Sequence, residues 1–242
     1  DIDAEGNFKF SGPTHVRNYN SAGGGTYASV ESAWAVPLSN GNTGVYIGYG
    51  GTNAVYKVTS GANTACTLAS GSYSYAPVLR NYGGTFFMLD GDDLYSFTES
   101  GGTITRTLQS DLTGRSADYL TNGYEVANRL SSSDKGPIWY QRMDNGQTFV
   151  WEYNVSTDTT KRIGRLPVDF ASPYSIFFAF GFYFVAYRAA AAHTLAGDAY
   201  IYYFRGEQSG AAGPIRSLNS STASKPVLLA GTIGDDLMVY FD

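Results

Sequence analysis

Short hydrophobic runs recur in pairs along this chain, each pair joined by a tight polar turn, which is the pattern of a β-hairpin. Val45-Tyr46-Ile47 leads through Gly50-Gly51-Thr52-Asn53 to Val55-Tyr56-Lys57-Val58, and Phe86-Phe87-Met88-Leu89 leads through Asp90-Gly91-Asp92 to Leu94-Tyr95-Ser96-Phe97. A third pair joins Ile138-Trp139-Tyr140 to Val150-Trp151-Glu152-Tyr153 around Asp144-Asn145-Gly146. A fourth joins Tyr183-Phe184-Val185 to Ile201-Tyr202-Tyr203-Phe204 across an Ala-rich insertion that includes His193. In each second strand an aliphatic residue precedes an aromatic, and a large or branched apolar residue follows two positions later, on the same face as the aromatic. The aromatics Tyr56, Tyr95, Trp151 and Tyr202 recur at uneven spacings of roughly 40 to 55 residues, near the range of four-stranded propeller blades.

More polar strand candidates flank each hairpin. Ala65–Ala69, Thr103–Leu108, Thr159–Leu166 and Ile215–Leu218 follow the four hairpins, while Ser29–Val36, Tyr75–Tyr82, Tyr119–Ala127 and Tyr174–Phe180 precede them. The two ends of the chain hold incomplete units: Pro226–Ala230 and Leu237–Phe241 at one end, Phe8–Phe10 and His15–Tyr19 at the other. The pattern therefore predicts an all-β fold, a single-domain small β-propeller of about five four-stranded blades, closed by a blade shared between the N- and C-termini. The expected blades are residues 27–70, 71–110, 115–167 and 172–219, with 224–242 joined to 1–20. Gly234-Asp235-Asp236-Leu237 resembles Gly91-Asp92-Asp93-Leu94, so the closing sheet divides either two and two or three and one between the termini. An open β-sandwich or a paired barrel is the alternative architecture.

Composition agrees with short aromatic strands and Gly-bearing turns: 43% of the 242 residues are hydrophobic and 15% charged, with 20 Tyr, 14 Phe and 29 Gly. The net charge is -5, and the nearest approach to a basic cluster is Lys161, Arg162 and Arg165, too few and too local to track phosphates, so sequence-specific nucleic-acid binding is not expected. Cys66 is the single cysteine, which excludes an internal disulfide and a thiolate metal cluster. In a strand it shares a face with Leu68 and reads as a small core residue. The most apolar stretch, Ile176–Tyr187, is divided by Gly181 and is too short to span a bilayer as a helix, so it reads as two buried strands around a turn and no membrane span is expected. The chain starts at Asp1 without Met, which reads as a processed product or an excised domain.

Candidate chemistry is sparse. Asp1-Ile2-Asp3-Ala4-Glu5-Gly6 begins like a calcium loop, but Gly12 stands where the bidentate Glu belongs, so it reads as an acidic turn. Asp90, Asp92 and Asp93, and Asp235 with Asp236, fall where hairpins turn, and Asp with Gly is turn chemistry. Glu31, Asp118, Glu125 and Asp169 lie near inner-strand candidates, where a five-bladed hydrolase would hold its paired carboxylates, yet no motif surrounds them. His15 and His193 sit beside no nucleophile motif, and Gly23-Gly24-Gly25 lacks the Lys that would make a phosphate loop. Trp139 and Trp151 belong to middle strands and read as core, whereas Trp34, on an inner-strand candidate, is the better ligand contact. No catalytic residue, metal ligand or cofactor is assigned.

Leu94-Tyr95-Ser96-Phe97 and Gly197-Asp198-Ala199-Tyr200-Ile201-Tyr202 resemble the irregular propeller repeats of bacteriophage tail-nozzle or head-closure proteins. The likeness extends over most of the chain as a texture, aromatic, Gly-rich and low in Lys, without a diagnostic motif. It implies a non-catalytic scaffold, assembly or adhesion module in a virion tail, with other protein subunits as partners and a virion or extracellular setting. Tachylectin-type lectins and five-bladed glycosidases share the architecture, so a carbohydrate-binding propeller that takes a glycan, or a glycoside hydrolase, stays open as the alternative; none of their site residues can be placed here.

Overall fold

The computed structural model describes residues 30–37, 43–49, 54–59, 62–74, 77–91, 93–110, 129–142, 147–166, 170–189, 199–206, 208–215, 227–233 and 236–241. Over these the chain is all-β. A first antiparallel meander comprises β1 (Val30–Pro37), β2 (Thr43–Tyr49), β3 (Ala54–Thr59) and β4 (Ala62–Leu68). A second comprises β5 (Val78–Tyr82), β6 (Thr85–Asp90), β7 (Asp93–Ser100) and β8 (Thr103–Ser110). The third holds β9 (Leu130–Ser132), β10 (Pro137–Arg142), β11 (Thr148–Asn154) and β12 (Thr159–Arg165). The fourth holds β13 (Phe170–Ala179), β14 (Phe182–Ala189), β15 (Ala199–Arg205) and β16 (Gln208–Ile215), and β17 (Val227–Ile233) pairs antiparallel with β18 (Asp236–Phe241).

The sheets pack face to face in series, and the sequence pattern shows why. Strands sandwiched between two neighbours must be apolar on both faces, so they read as unbroken hydrophobic runs instead of alternating ones. In Phe86-Phe87-Met88-Leu89, Met88 turns toward the first sheet while Phe87 and Leu89 turn toward the third. The core between the first two sheets takes one residue from every strand: Val36, Tyr46, Val55 and Cys66 against Leu79, Met88, Phe97 and Ile104. A second core sets Val78, Phe87, Leu89 and Leu94 against Leu130, Trp139 and Tyr153, and a third sets Ile138, Tyr140 and Val150 against Ile176, Val185 and Phe204. In each third strand the aliphatic residue before the recurring aromatic is buried to 1% exposure or less, at Val55, Leu94, Val150 and Ile201. Removing one such side chain from water contributes about 1.5–3 kcal/mol.

The first strands of the sheets lie beside one another in the order β1, β5, β9, β13, β17, which makes the fold propeller-like. The first two sheets are fused further. Their outer strands β4 and β8 pair in parallel at Thr67↔Thr103 and Leu68↔Ile104, giving one eight-stranded sheet. Its end strands β1 and β5 also meet, where the Ser32 hydroxyl donates to the Pro77 carbonyl (3.1 Å) and accepts from the Leu79 amide (3.0 Å). That sheet is thus nearly closed on itself.

One expected strand is corrected and another is not described. The strand that pairs with β10 is the short β9, Leu130–Ser132, and the expected Tyr119–Ala127 lies outside the described residues. The outer strand of the fourth sheet is Gln208–Ile215, not Ile215–Leu218: its small residues let the Tyr203 ring lie against Gly210, where an added Cβ would come within 2.4 Å of the ring hydroxyl. Ile176–Tyr187 forms two strands around the Phe180-Gly181 turn, as expected. The C-terminal pair β17 and β18 occupies the segments expected for the closing sheet, while residues 1–20 lie outside the described residues. Among the described residues no helix is long and apolar enough to cross a membrane.

Candidate functional site

Two polar centres stand out, one between sheets and one where the first strands meet. Between the first two sheets, Glu99 on β7 receives the Lys57 ammonium, the Tyr46 hydroxyl (2.9 Å) and, at its other oxygen, the Gly102 amide (2.7 Å). Burial alone would raise the Glu99 carboxyl; the bonds from Lys57, the Gly102 amide and Tyr46 outweigh it and hold the group below its ordinary value. Tyr46 responds in the opposite sense, its phenol raised by burial and by the adjoining carboxylate. Glu99, Lys57 and Tyr46, with Phe86, Phe97, Val36 and Thr85, line an open cleft of about 620 Å³. The edge-on packing of Tyr46 against Phe86 and Phe97, with ring centres 5.2 and 5.8 Å apart, sets its floor.

The same device recurs elsewhere. Buried Glu152 on β11 accepts from Ser133 (2.6 Å) and from Tyr183 of the fourth sheet (2.8 Å), with Lys135 at 3.5 Å. Tyr153 reaches back from the third sheet to Gln109 and also donates to Asp158 (2.7 Å); burial and Asp158 push its phenol up to about 12. Asp90, expected at a hairpin turn and weighed as a cation ligand, is 2% exposed, pairs with Arg106 and accepts the Ser74 amide. It pins the segment after β4 to the second sheet. Asp93 accepts from Tyr95 at the same turn. Among the described residues no group of His, Cys, Asp and Glu is placed to hold a metal ion.

The second centre contains Trp34, the residue singled out from the sequence. Trp34 on β1 is half-buried, and the Arg80 guanidinium of β5 lies over its ring at 4.7 Å. Arg80 Nε also donates to Ser132 Oγ of β9 at 3.3 Å. Three successive first strands therefore converge on one guanidinium, whose charge burial disfavours. Arg80 carries one signal in the sequence, a lone cation in the inner-strand run Val78-Leu79-Arg80. Glu99 and Glu152 carry none, because each draws its partners from elements distant in sequence.

The remaining sequence candidates fall as follows. Trp139 is fully buried and Trp151 packs half-buried against the second core, in line with a core role for both. Cys66 is buried in the first core, with Leu68 packed on the same cluster. Lys161, Arg162 and Arg165 are exposed on β12, where Arg162 lies over the Phe149 ring at 4.7 Å beside a shallow groove of about 330 Å³. Asp92, Asp118, Glu125, Asp169, Asp235, His15, His193 and residues 1–6 lie outside the described residues, and Glu31 is described only as backbone of β1.

No protein-family model matches the sequence, and no curated protein does. Among solved structures the chain is similar to a thermostable family-43 glycoside hydrolase, at 15% identity over 87% of this chain and 82% of that one, with a TM-score of 0.40. It is also similar to PorZ, an essential bacterial surface component of the type-IX secretion system of Porphyromonas gingivalis, at 13% identity over 89% of this chain and 33% of that one, with a TM-score of 0.28.

Proposed function

We propose that this chain is a non-catalytic propeller scaffold of five blades, an assembly or adhesion module whose polar chemistry holds its sheets together. One observation carries the reading: Glu99, Glu152 and Asp90, the buried carboxylates of the described residues, are each engaged by a cation and by further donors that tie separate parts of the fold. A hydrolase needs one carboxyl free to hold and release a proton beside the scissile bond. The five-blade count is supported by four meanders and the β17–β18 pair, and in this reading the hydrophobic runs of residues 1–20 complete the closing sheet. A place in a bacteriophage tail rests on the sequence texture alone.

A panel of aryl glycosides and soluble polysaccharides tests the non-catalytic reading: no release of aglycone or reducing sugar is expected, and turnover that disappears in Glu31→Gln overturns it. Removing residues 1–20 tests the closure. A clear fall in the thermal midpoint is expected, and an unchanged midpoint overturns the shared blade.

A further inference from the structure

Arg80 differs from three other cations held between or beside the sheets, Lys57, Arg106 and Lys135. Lys57 and Arg106 each sit on a carboxylate, and Lys135 stands against Glu152. Arg80 is held by an indole face and a serine hydroxyl, and among the described residues no carboxylate pairs with it. Its charge is nevertheless partly desolvated, a cost that an anionic counterpart would offset.

The geometry defines what that counterpart is. Nε donates to Ser132 and the group lies over the Trp34 ring, which leaves the edge carrying the two η nitrogens without a hydrogen-bond partner among the described residues. That edge offers two parallel N–H donors, the fork that matches a carboxylate bidentately. A phosphate dianion would call for a second cation, and among the described residues neither Trp34 nor Ser132 contacts one. The position matters as well: β1, β5 and β9 are the first strands of three consecutive sheets, so the group is presented where those strands line up and not on the outer rim.

We propose that Arg80, braced by Trp34 and Ser132, is an anion-binding site along the line of first strands, and that it takes the carboxylate of a small acidic ligand. Trp34 and Ser132 act as positioning residues, fixing the guanidinium plane before the ligand arrives, which lowers the ordering cost of binding.

The test uses the full chain at constant ionic strength, titrated with sodium acetate, sodium glucuronate and inorganic phosphate and read by calorimetry and by thermal shift. Saturable binding of a carboxylate is expected, weakened about tenfold or more in Arg80→Gln and less in Arg80→Lys, which keeps the charge without the fork. Tighter binding of glucuronate than acetate identifies a sugar acid as the source of the carboxylate; equal binding identifies a free small acid. Trp34→Phe keeps a ring under the guanidinium and should weaken binding only modestly. Absence of saturable carboxylate binding by the unmodified protein overturns the proposal whatever the variants do, as does phosphate binding more tightly than either carboxylate, or affinity unchanged in a folded Arg80→Gln protein.

Discussion

Gly48→Ala is the sharpest probe of how the first two sheets meet. Gly48 on β2 lies against the backbone of the segment that opens β5, and a Cβ added there would stand 1.9 Å from the Pro77 carbonyl oxygen and 2.7 Å from Ser32 Oγ. Ordinary contact begins near 3.4 Å, so the strands would have to part by about 1.5 Å. A movement of that size also breaks the two bonds of Ser32, to the Pro77 carbonyl and from the Leu79 amide. Overpacking costs about 1–3 kcal/mol, and each lost bond about 1 kcal/mol. Alanine's smaller unfolded-state entropy returns about 0.5–1 kcal/mol, which leaves a loss of about 2–4 kcal/mol. With a urea slope near 2 kcal/mol/M, the midpoint should fall by about 1–2 M. Gly84→Ala is the control: Gly84 has φ 87° with nothing within 4 Å of an added Cβ, so only the backbone cost of about 1 kcal/mol applies. A Gly48→Ala protein as stable as Gly84→Ala would refute the close approach of β2 and β5.

Three further outcomes are expected. Glu99→Gln should lose about 1–3 kcal/mol at neutral pH, since it leaves Lys57 without its counter-charge. Because the folded Glu99 carboxyl sits below its ordinary value near 4.5, its stabilisation is complete above that pH and fades as pH falls through the lower folded value. Acid denaturation followed by circular dichroism should therefore show wild type and Glu99→Gln converging as pH falls below the ordinary value of 4.5, and a constant gap would refute the tie. Cys66, 2% exposed and with its thiol pushed up to about 11 by burial and by Glu99, should resist a thiol-specific chromogen at pH 8 until the chain unfolds; prompt native-state labelling refutes its core placement. Phe180→Gly should raise stability by about 1 kcal/mol in urea melts, because Phe180 is 56% exposed and adopts φ 52°, a conformation that favours glycine.

The legible part of the fold was that written in hydrophobic runs. Phe86–Leu89, Ile138–Tyr140 and Tyr183–Val185 announced middle strands because a strand covered on both faces has no polar side to show. The edges were harder. Leu130-Ser131-Ser132 is too short and polar to read as a first strand beside the better alternation of Tyr119–Ala127, and Ser209-Gly210-Ala211-Ala212-Gly213-Pro214 reads as a loop until the Tyr203 ring explains its small residues. Trp34 reads from the sequence as a ligand contact on an inner strand, and the structure shows it under Arg80, a partner that no spacing along the chain encodes because the stacking joins residues on different sheets.

The buried carboxylates and the Arg80 guanidinium also point to opposite kinds of chemistry. A general acid must keep its proton near neutral pH, which an enzyme achieves by withholding cations and hydrogen bonds from a buried carboxyl. Glu99 receives three donors, and their sum overrides burial and drives its proton off. Converting it to an acid would mean removing Lys57, the very contact that joins β3 to β7. Arg80 poses the reverse case: a desolvated cation with an indole on one side gains from any carboxylate that reaches it and needs no proton transfer to do so. The arrangement suits recognition of an acid along the line of first strands, on a frame in which Glu99, Asp90 and Glu152 are already engaged by cations.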